Sequence, residues 1–323
     1  MKSCAKDALC RRRILLQYPD QLTKNIYIVW HTWSGDHKSR YQSIIGRQWR
    51  TLLASKLAEH ASKIFISLRE GDQIYLPQSL LDSNQVELNF FSGPVHEGFT
   101  LNWLKNQLDQ NRLDDDSLIL YFHSRGASKA LTTREAICSD DWTVMMEYFC
   151  LARWRFAVNH LANHYTCGCQ LWPMASSFDQ GECSIYHSSY PREFWTYCGN
   201  FWWANGSYIK HLLNPPDFYS TGESAKDRHL MENWILSSVG TLTNFDEHYI
   251  LHSTGYPYQR GLVHSYLDRY HPRHYVRGDV SPMPTLDPDL FNGECNTRSS
   301  IRSKIKRWLA KITSVKDSRT PPL

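Results

Sequence analysis

Short apolar runs alternate with a longer amphipathic stretch in the first part of the chain. Residues 25–30 (NIYIVW), 63–68 (KIFISL) and 117–122 (SLILYF) are rich in β-branched and aromatic residues, which is typical of buried strands. Residues 38–60 carry apolar positions on one side of a predicted helix: Ile44, Ile45, Trp49, Leu52, Leu53 and Leu57. Strand, helix and strand at this spacing form a βαβ unit and predict a parallel sheet.

The same kinds of element continue along the chain. Further strands are predicted over residues 86–91 and 248–252, and an extended aromatic segment over 194–204. Further helices are predicted over residues 99–108, 141–164, 208–213 and 228–237. Together these elements predict a single α/β domain in residues 24–260, with a mixed, mainly parallel sheet flanked by helices.

Both ends of the chain lie outside this pattern. Residues 1–23 are predicted to be a lead-in, and residues 261–323 an irregular tail. Within the tail, residues 301–313 place isoleucine, leucine and tryptophan on one helical face and Lys and Arg around the rest. This pattern is typical of a helix that lies on an anionic membrane surface, and also of a surface helix docked on its own domain. Both interpretations stay open.

The composition is that of a globular protein with an excess of aromatic residues. The chain has 323 residues, of which 41% are hydrophobic and 21% charged, with 12 Trp and 18 Tyr. Aromatic rings bind sugar faces and nucleobases, and they also fill cores. The net charge is +4, and basic residues concentrate in 11–13 and 298–316. A nucleic-acid-binding domain carries its basic face through its body, so a nucleic-acid partner is not predicted.

The nine cysteines and the apolar runs indicate the compartment. No apolar stretch after residue 13 is long enough for the core of a signal peptide, and no run reaches the length of a membrane span. Cys167 and Cys169 are separated by one residue, without a second pair at zinc-site spacing, which favours buried thiols. These features predict a cytoplasmic protein, with peripheral attachment to the inner membrane face if residues 301–313 bind lipid.

Polar residues follow two predicted strands at their carboxyl ends, where α/β sheets bind ligands. His31 and Thr32 follow the first strand. The strand over 117–122 is followed by His123, Ser124, Arg125 and Gly126. Glycine lets the backbone approach a ligand, and the planar fork of arginine fits phosphate oxygens. We predict a diphosphate site here, and a strand-ending turn with solvated charges is the alternative.

Three segments carry a resemblance to a known family. They are YFHSRGASK (121–129), GNFWWANGSYIKHL (199–212) and DRHLMENWI (227–235), with a helix containing Trp142 and Met146 between the first two. In this order they resemble a family of glycosyltransferase-like proteins of bacteria and large DNA viruses, over about residues 25–255. The family shows a Tyr-x-His-Ser/Thr-Lys-Gly loop, a Gly-Asn-Phe-Trp-Trp-Ala segment and an Arg-x-x-x-Glu-x-Trp-Ile helix. Arg125 stands where the family has lysine, and it keeps the charge.

The resemblance implies a GT-A-type fold that binds a nucleotide sugar. Many enzymes of this fold place Asp-x-Asp after a central strand to hold a divalent metal ion on the donor diphosphate. Here His123 and Arg125 stand at the comparable positions. The implication is that positive side chains stabilise the leaving diphosphate in place of a metal, and no cofactor is predicted. The alternative keeps Mn²⁺ or Mg²⁺, with His123 or residues 114–116 as ligands, although those acids precede the strand.

The same resemblance suggests the carboxylate that assists sugar transfer. Glu232 lies in the family-like helix and is the first candidate, with Asp227 and Asp179 in reserve. Arg228 lies one turn before Glu232 and is expected to contact the donor. A purely structural ion pair between Arg228 and Glu232 is the alternative.

Four more residues are expected near the donor or acceptor. Trp202 and Trp203 would stack on sugars and Asn200 would donate hydrogen bonds to them, although at least one of Phe201, Trp202 and Trp203 is predicted to be core. His252 begins a His-x-x-Gly sequence similar to one that reaches the donor phosphates in some GT-A transferases.

The function expected from these residues is transfer of a sugar from a nucleotide-sugar donor to a glycan or polysaccharide acceptor. One alternative is a nucleotide-sugar-binding protein that has lost catalysis. Another is a nucleic-acid-binding protein that uses its basic ends and stacking aromatics.

Overall fold

The computed structural model describes residues 24–92, 97–127, 134–173, 195–197, 199–215, 231–238, 243 and 245–252. All of them lie within one compact unit of the chain. The predicted lead-in over 1–23, and the tail with its amphipathic segment over 301–313, lie outside the described residues.

A mixed seven-stranded sheet forms the centre of the described part. The strands are β1 Ile26–His31, β2 Lys63–Arg69, β3 Val86–Phe91, β4 Leu118–His123, β5 Thr166–Cys169, β6 Leu171–Pro173, β7 Trp195–Tyr197, β8 Trp202–Asn205 and β9 His248–His252. The order across the sheet is β3-β2-β1-β4-β8-β5-β9, and β6 pairs separately with β7. Strands β3, β2, β1 and β4 run parallel, β8 runs antiparallel to its two neighbours, and β9 runs parallel to β5. The predicted mixed, mainly parallel sheet is confirmed.

Helices flank this sheet. They are α1 Lys38–Ala54, α2 Leu57–His60, α3 Gln78–Leu81, α4 Gly98–Asp109, α5 Arg134–Glu147, α6 Trp154–His160 and α7 Gly206–His211. A π-helical turn joins α5 to α6, and short 3-10 turns occur at Asp72–Tyr75, Trp234–Leu236 and Phe245–Glu247. None of the helices within the described ranges is long and apolar enough to cross a membrane.

The central pair β1 and β4 places two loops at one edge of the sheet. All six residues of β1 and the first five of β4 are buried, as expected for parallel strands that are covered on both faces. The two strands pair in register, with His31 opposite His123. The loops that follow them therefore start side by side.

Two helices differ from the sequence-based expectation. The helix predicted over 38–60 is divided because Lys56 adopts a left-handed conformation with a φ of 61°, and Leu53 at its end is 43% exposed rather than packed. The helix predicted over 141–164 begins earlier and is interrupted by the π-helical turn Tyr148–Ala152. A π turn leaves backbone carbonyls without regular helical partners, and here the carbonyl of Cys150 accepts a hydrogen bond from Trp203 Nε1 at 2.8 Å.

The aromatic segment predicted to be extended is divided into two strands. Gly199 and Asn200 have φ values of +94° and +55°, and this left-handed pair turns the chain between β7 and β8. Strands β5 and β6 were not predicted, because the short sequences TCGC and LWP carry neither alternation nor a β-branched run. Within the predicted helix over 228–237, residues 234–236 form a 3-10 turn.

The described cysteines are core residues, as predicted. Cys150, Cys167 and Cys169 are buried free thiols, and burial raises the pKa of Cys167 and Cys169 well above the ordinary value. A buried thiol that resists ionisation is a poor nucleophile and a poor metal ligand. These side chains therefore act as small apolar residues.

A buried ion cluster joins α1 to the end of α5. Arg47 donates to both carboxylate oxygens of Glu147, with Nε–Oε2 and Nη2–Oε1 distances of 2.7 and 3.1 Å, and its Nη1 lies 3.1 Å from Asp140 Oδ1. The Glu147 side chain is fully buried. Burial raises the pKa of Glu147, and Arg47 opposes that shift by stabilising the charged carboxylate. The cluster fixes α5 on α1 just before the π turn.

We expect Arg47→Met to lower the free energy of unfolding by about 3–5 kcal/mol, because it leaves Glu147 buried without a cation. The loss should grow as the pH rises, since the folded variant must keep Glu147 protonated while the unfolded chain releases that proton. Urea denaturation at several pH values measures this. Lys210→Met is the matched control, because it removes an exposed pair with Asp115 and should change stability by at most about 1 kcal/mol. Equal losses in the two variants would contradict the stabilising role of the buried Arg47–Glu147 pair.

A buried histidine adds a second dependence on pH. His248, at the start of β9, is 4% exposed, and its ring nitrogens lie 2.8 Å from Thr166 Oγ1 and 2.9 Å from Thr243 Oγ1. Burial, assisted by the nearby His164, lowers the pKa of His248 from 6.5 to about 4. The folded protein therefore holds this ring neutral at pH values where the unfolded chain protonates it.

Stability should consequently fall as the pH drops from 6.5 towards 4, with a contribution of up to about 1.4 kcal/mol per pH unit from this group. His248→Gln should abolish that contribution, because glutamine keeps hydrogen-bonding groups but does not titrate. Chemical denaturation between about pH 7 and pH 4.5 compares the two slopes. Parallel slopes for the two proteins would show that His248 is not held neutral.

Candidate functional site

The loops after β1 and β4 are tied together at the carboxyl edge of the sheet. Ser124 Oγ accepts a hydrogen bond from Trp33 N at 2.9 Å and donates to the Trp33 carbonyl at 3.3 Å. Gly126, with a φ of +83°, presents its carbonyl to Arg40 Nε at 2.6 Å. The loop that carries the predicted cations is thus fixed by the Ser124 side chain and the Gly126 carbonyl, without use of the Arg125 side chain.

His31 and Thr32 are buried beneath this edge. His31 Nδ1 lies 2.8 Å from Thr100 Oγ1, and its ring stacks on Phe91 at 5.5 Å between centroids. Thr32 Oγ1 donates to the carbonyl of Ser67 and accepts from the hydroxyl of Tyr41. The prediction that His31 and Thr32 contact a donor is corrected, because both side chains are buried and have partners in α1, α4 and the neighbouring strand β2.

Glu97 lies at the centre of a polar network at the end of β4. Its side chain, immediately before α4, is 11% exposed. Glu97 Oε2 accepts hydrogen bonds from Tyr121 Oη at 2.9 Å and from Asn200 Nδ2, and Oε1 lies 3.2 Å from His123 Nδ1. The other ring nitrogen of His123, Nε2, lies 2.9 Å from the carbonyl oxygen of Gly199. One carboxylate thereby joins α4, β4 and the turn before β8.

Asn200 uses its side chain inside this network. It is 1% exposed, and its Oδ1 accepts a hydrogen bond from Trp202 Nε1 at 2.7 Å. Because Asn200 Nδ2 donates a hydrogen bond to Glu97, both ends of the side-chain amide have protein partners. These contacts also stabilise the left-handed backbone of Asn200, which an asparagine tolerates better than most residues.

The two tryptophans predicted to stack on sugars are core residues. Trp202 and Trp203 are 1% and 0% exposed. The Trp202 ring stacks on Tyr121 with centroids 4.9 Å apart, and Trp203 donates to the π turn. The prediction that both rings line a sugar site is corrected, because β8 lies inside the sheet and both of its faces are covered. The prediction that at least one of residues 201–203 is core is confirmed.

Arg125 and Glu232 form the more accessible part of the cluster. The guanidinium carbon of Arg125 lies 4.1 Å from the centre of the Trp142 ring, and its Nη1 lies 3.9 Å from Glu232 Oε1. Each of the two charged side chains is about one fifth exposed. The Nε atom of Arg125 is buried and has no hydrogen-bond partner among the described residues. Thr196 Oγ1 holds the Glu232 backbone by donating to its carbonyl at 2.7 Å.

The structure thus brings four predicted residues together and leaves several outside the described part. His123, Arg125, Asn200 and Glu232 meet at one edge. Asp179, Asp227 and Arg228, and the side chain of His252, lie outside the described residues.

Three further residues contribute to the cluster without having been predicted as site residues from the sequence: Glu97, Tyr121 and Trp142. Glu97 could have been found by extending the carboxyl-end rule to β3, because Glu97 follows that strand and precedes α4.

Two of the three acids before β4 have structural partners. Asp114 accepts from Asn25 Nδ2 at 2.5 Å and from Tyr27 Oη at 3.0 Å, and Asp115 pairs with Lys210 at 2.8 Å. They lie at the amino end of β4, opposite to the cluster. Among the described residues no group of three or more His, Cys, Asp or Glu side chains is placed to hold a metal ion.

Gly199 should be sensitive to substitution for two separable reasons. A Cβ atom there would collide with Met146 Sδ and lie 2.8 Å from Met146 Cε, and the φ of +94° disfavours any residue with a side chain. Gly71 has a similar φ of +89° but open space around it, so Gly71→Ala reports the backbone strain alone. We expect Gly199→Ala to cost about 1–3 kcal/mol more than Gly71→Ala in chemical denaturation. When both substitutions are made in a Met146→Ala background, the difference in cost between Gly199→Ala and Gly71→Ala should become smaller. An unchanged difference would contradict the proposed collision.

Comparisons with known proteins add little beyond the geometry. No protein-family model matches the chain, and no curated protein matches its sequence. The chain is similar to a solved structure of 4-diphosphocytidyl-2C-methyl-D-erythritol synthase from Anaerococcus prevotii DSM 20548, with 11% identity, a TM-score of 0.37, and coverage of 71% of this chain and 87% of that one. A second structure of a 4-diphosphocytidyl-2C-methyl-D-erythritol synthase gives 11% identity, a TM-score of 0.28, and coverage of 65% and 85%. Likenesses this weak do not bear on the activity of this chain.

Proposed function

We propose that the protein is a glycosyltransferase with a GT-A-type arrangement, which moves a sugar from a nucleotide-sugar donor to a glycan or polysaccharide acceptor. The observation that carries the proposal is the position of Arg125. It follows the central parallel strand β4, at the edge where α/β sheets bind ligands. Its guanidinium lies over Trp142 and has a donor without a partner among the described residues.

Arg125 is suited to bind the donor diphosphate. Its contact with Glu232 is 3.9 Å long and partly exposed, so the pair is weak and can open at little cost. A diphosphate offers oxygens that accept two parallel hydrogen bonds from guanidinium, which a single distant carboxylate oxygen does not. Stacking on Trp142 limits the motion of the planar group and reduces the entropy lost when it binds.

Glu232 is suited to assist the acceptor. In the proposed transfer, the bond between the anomeric carbon and the diphosphate oxygen breaks, and a bond from the acceptor oxygen to that carbon forms. The electron pair of the broken bond goes to the diphosphate, where Arg125 stabilises it, and the proton of the acceptor hydroxyl goes to Glu232. The 3.9 Å distance between Arg125 Nη1 and Glu232 Oε1 supports this pairing of roles.

A binding protein without catalysis is the second candidate, and one observation favours it. Two side chains of the cluster already face carboxylates, His123 toward Glu97 and Arg125 toward Glu232. A site of this kind could hold a nucleotide sugar through Arg125 while Glu232 serves only as its resting partner. Turnover separates the two candidates, since both predict donor binding.

The first measurement is a thermal-shift screen of UDP-, GDP-, CMP- and dTDP-sugars, each with Mn²⁺ and with EDTA. We expect one donor to raise the melting temperature, and EDTA to leave the shift unchanged, because Arg125 rather than a metal binds the diphosphate. A shift that vanishes in EDTA would contradict the role of Arg125. Stabilisation by oligonucleotides alone, with steep salt dependence, would favour a nucleic-acid-binding protein.

Variants then assign the two roles. Arg125→Gln should weaken donor binding by about 10- to 100-fold, the effect of losing charge-assisted hydrogen bonds. Glu232→Gln should bind the nucleoside diphosphate as well as or better than wild type, because the competing carboxylate charge is gone, while transfer falls by about 100-fold or more. Lys210→Gln removes an exposed cation at the opposite end of β4 and serves as the control. The proposal is that Arg125 leaves Glu232 to bind the diphosphate. Weaker diphosphate binding by Glu232→Gln would contradict it.

A further inference from the structure

The positions of the acceptors around His123 determine its protons. The Gly199 carbonyl oxygen, 2.9 Å from Nε2, can only accept, so Nε2 must carry a hydrogen. On the other side of the ring, Nδ1 lies 3.2 Å from Glu97 Oε1. A neutral ring with its hydrogen on Nε2 would turn the bare lone pair of Nδ1 toward a carboxylate oxygen. That arrangement is repulsive, and a proton on Nδ1 removes the repulsion.

The rest of the network supplies hydrogen-bond donors to Glu97. Its second oxygen, Oε2, already accepts hydrogen bonds from Tyr121 Oη and Asn200 Nδ2. A carboxylate oxygen accepts hydrogen bonds, so these two donors satisfy Oε2. The Glu97 side chain is 11% exposed and that of His123 is 13% exposed, so solvent screens their attraction less than at a surface.

We propose that Glu97 is a positioning residue that holds His123 as a doubly protonated imidazolium, and so fixes a positive charge at the carboxyl end of β4. Glu97, immediately before α4, faces Nδ1 of this ring, and Arg125 follows His123 by two residues in the loop after β4. Phe201, which follows the turn, packs against the ring edge-on at 5.5 Å between centroids.

This inference rests on the proposed function and refines it. Both ring nitrogens of His123 are occupied by protein acceptors, so His123 contributes charge to the diphosphate rather than a hydrogen bond. Arg125 supplies the hydrogen bonds. In place of direct contact between His123 and the donor, we propose that His123 supplies a fixed positive charge and that the more mobile Arg125 side chain binds the diphosphate.

Glu97→Gln removes the negative charge of the side chain and keeps its shape. The glutamine amide can donate to a bare Nδ1 while Nε2 still donates to the Gly199 carbonyl, so a neutral His123 fits the variant without rearrangement. Glu97→Gln should therefore keep the ring orientation and lose its charge. Tyr121→Phe is the matched control, because it removes a donor from the same carboxylate and leaves the contact with His123 in place.

The test is the ¹⁵N NMR signature of the His123 ring in the free protein near neutral pH, assigned with His123→Gln. In the wild type and in Tyr121→Phe the two nitrogens should show the similar shifts of an imidazolium. In Glu97→Gln the two ¹⁵N shifts should differ, one being that of a protonated nitrogen and the other that of an unprotonated nitrogen. A neutral His123 in the wild type would overturn the proposal.

Binding of the nucleoside diphosphate identified in the thermal-shift screen then tests the functional consequence. Glu97→Gln should weaken it about five- to tenfold, and the difference from wild type should shrink as pH rises and the wild-type ring also loses its proton. Equal affinity of the two proteins at low and high pH would show that the charge does not act on the ligand. If no nucleotide binds at all, the proposed function fails while the NMR result still decides the state of His123.

Discussion

A carboxylate that is almost shielded from water must be surrounded by donors, and this requirement organises the carboxyl edge of the sheet. Glu97 takes its donors from three places that are distant in sequence: Tyr121 within β4, His123 at its end, and Asn200 in the turn before β8. Removing any of these donors would leave charge or a lone pair unsatisfied in a region of low polarity. The relative positions of helix, strand and turn are therefore coupled through a single side chain.

The edge consists of an inner network and an outer pair with different properties. In the inner network, the polar atoms of His123 and Asn200 described above bond to protein groups, which makes it rigid. The outer pair, Arg125 and Glu232, is longer, more exposed and weaker. This combination suits a site that binds and releases a charged substrate, because rigidity positions the charges and the weak pair supplies the groups that exchange partners.

The sequence predicts the central strands and the edge where the site lies, because buried parallel strands have nearly continuous apolar sequences. It also identifies His123, Arg125 and Glu232, through a strand end and a family resemblance. It does not predict Glu97, whose partners are separated from it by 24 to 103 residues. Nor does it distinguish a tryptophan that stacks on a ligand from one that fills a core, since both occur in aromatic runs. Trp202 and Trp203 are buried because β8 inserts antiparallel between β4 and β5, and this order is a property of the whole sheet.

The π-helical turn Tyr148–Ala152 has a consequence for the permitted length of the chain. One additional residue in the turn directs the Cys150 carbonyl to Trp203, on a strand of the sheet. Deleting a residue there would restore regular α-helical geometry locally and rotate everything beyond it by about 100° relative to α5. One continuous helix could then not keep both the Arg47–Glu147 contact and the hydrogen bond from Trp203 Nε1 to the Cys150 carbonyl. Homologous chains that keep both contacts should accordingly conserve the residue count between positions 147 and 154, even where the side chains differ.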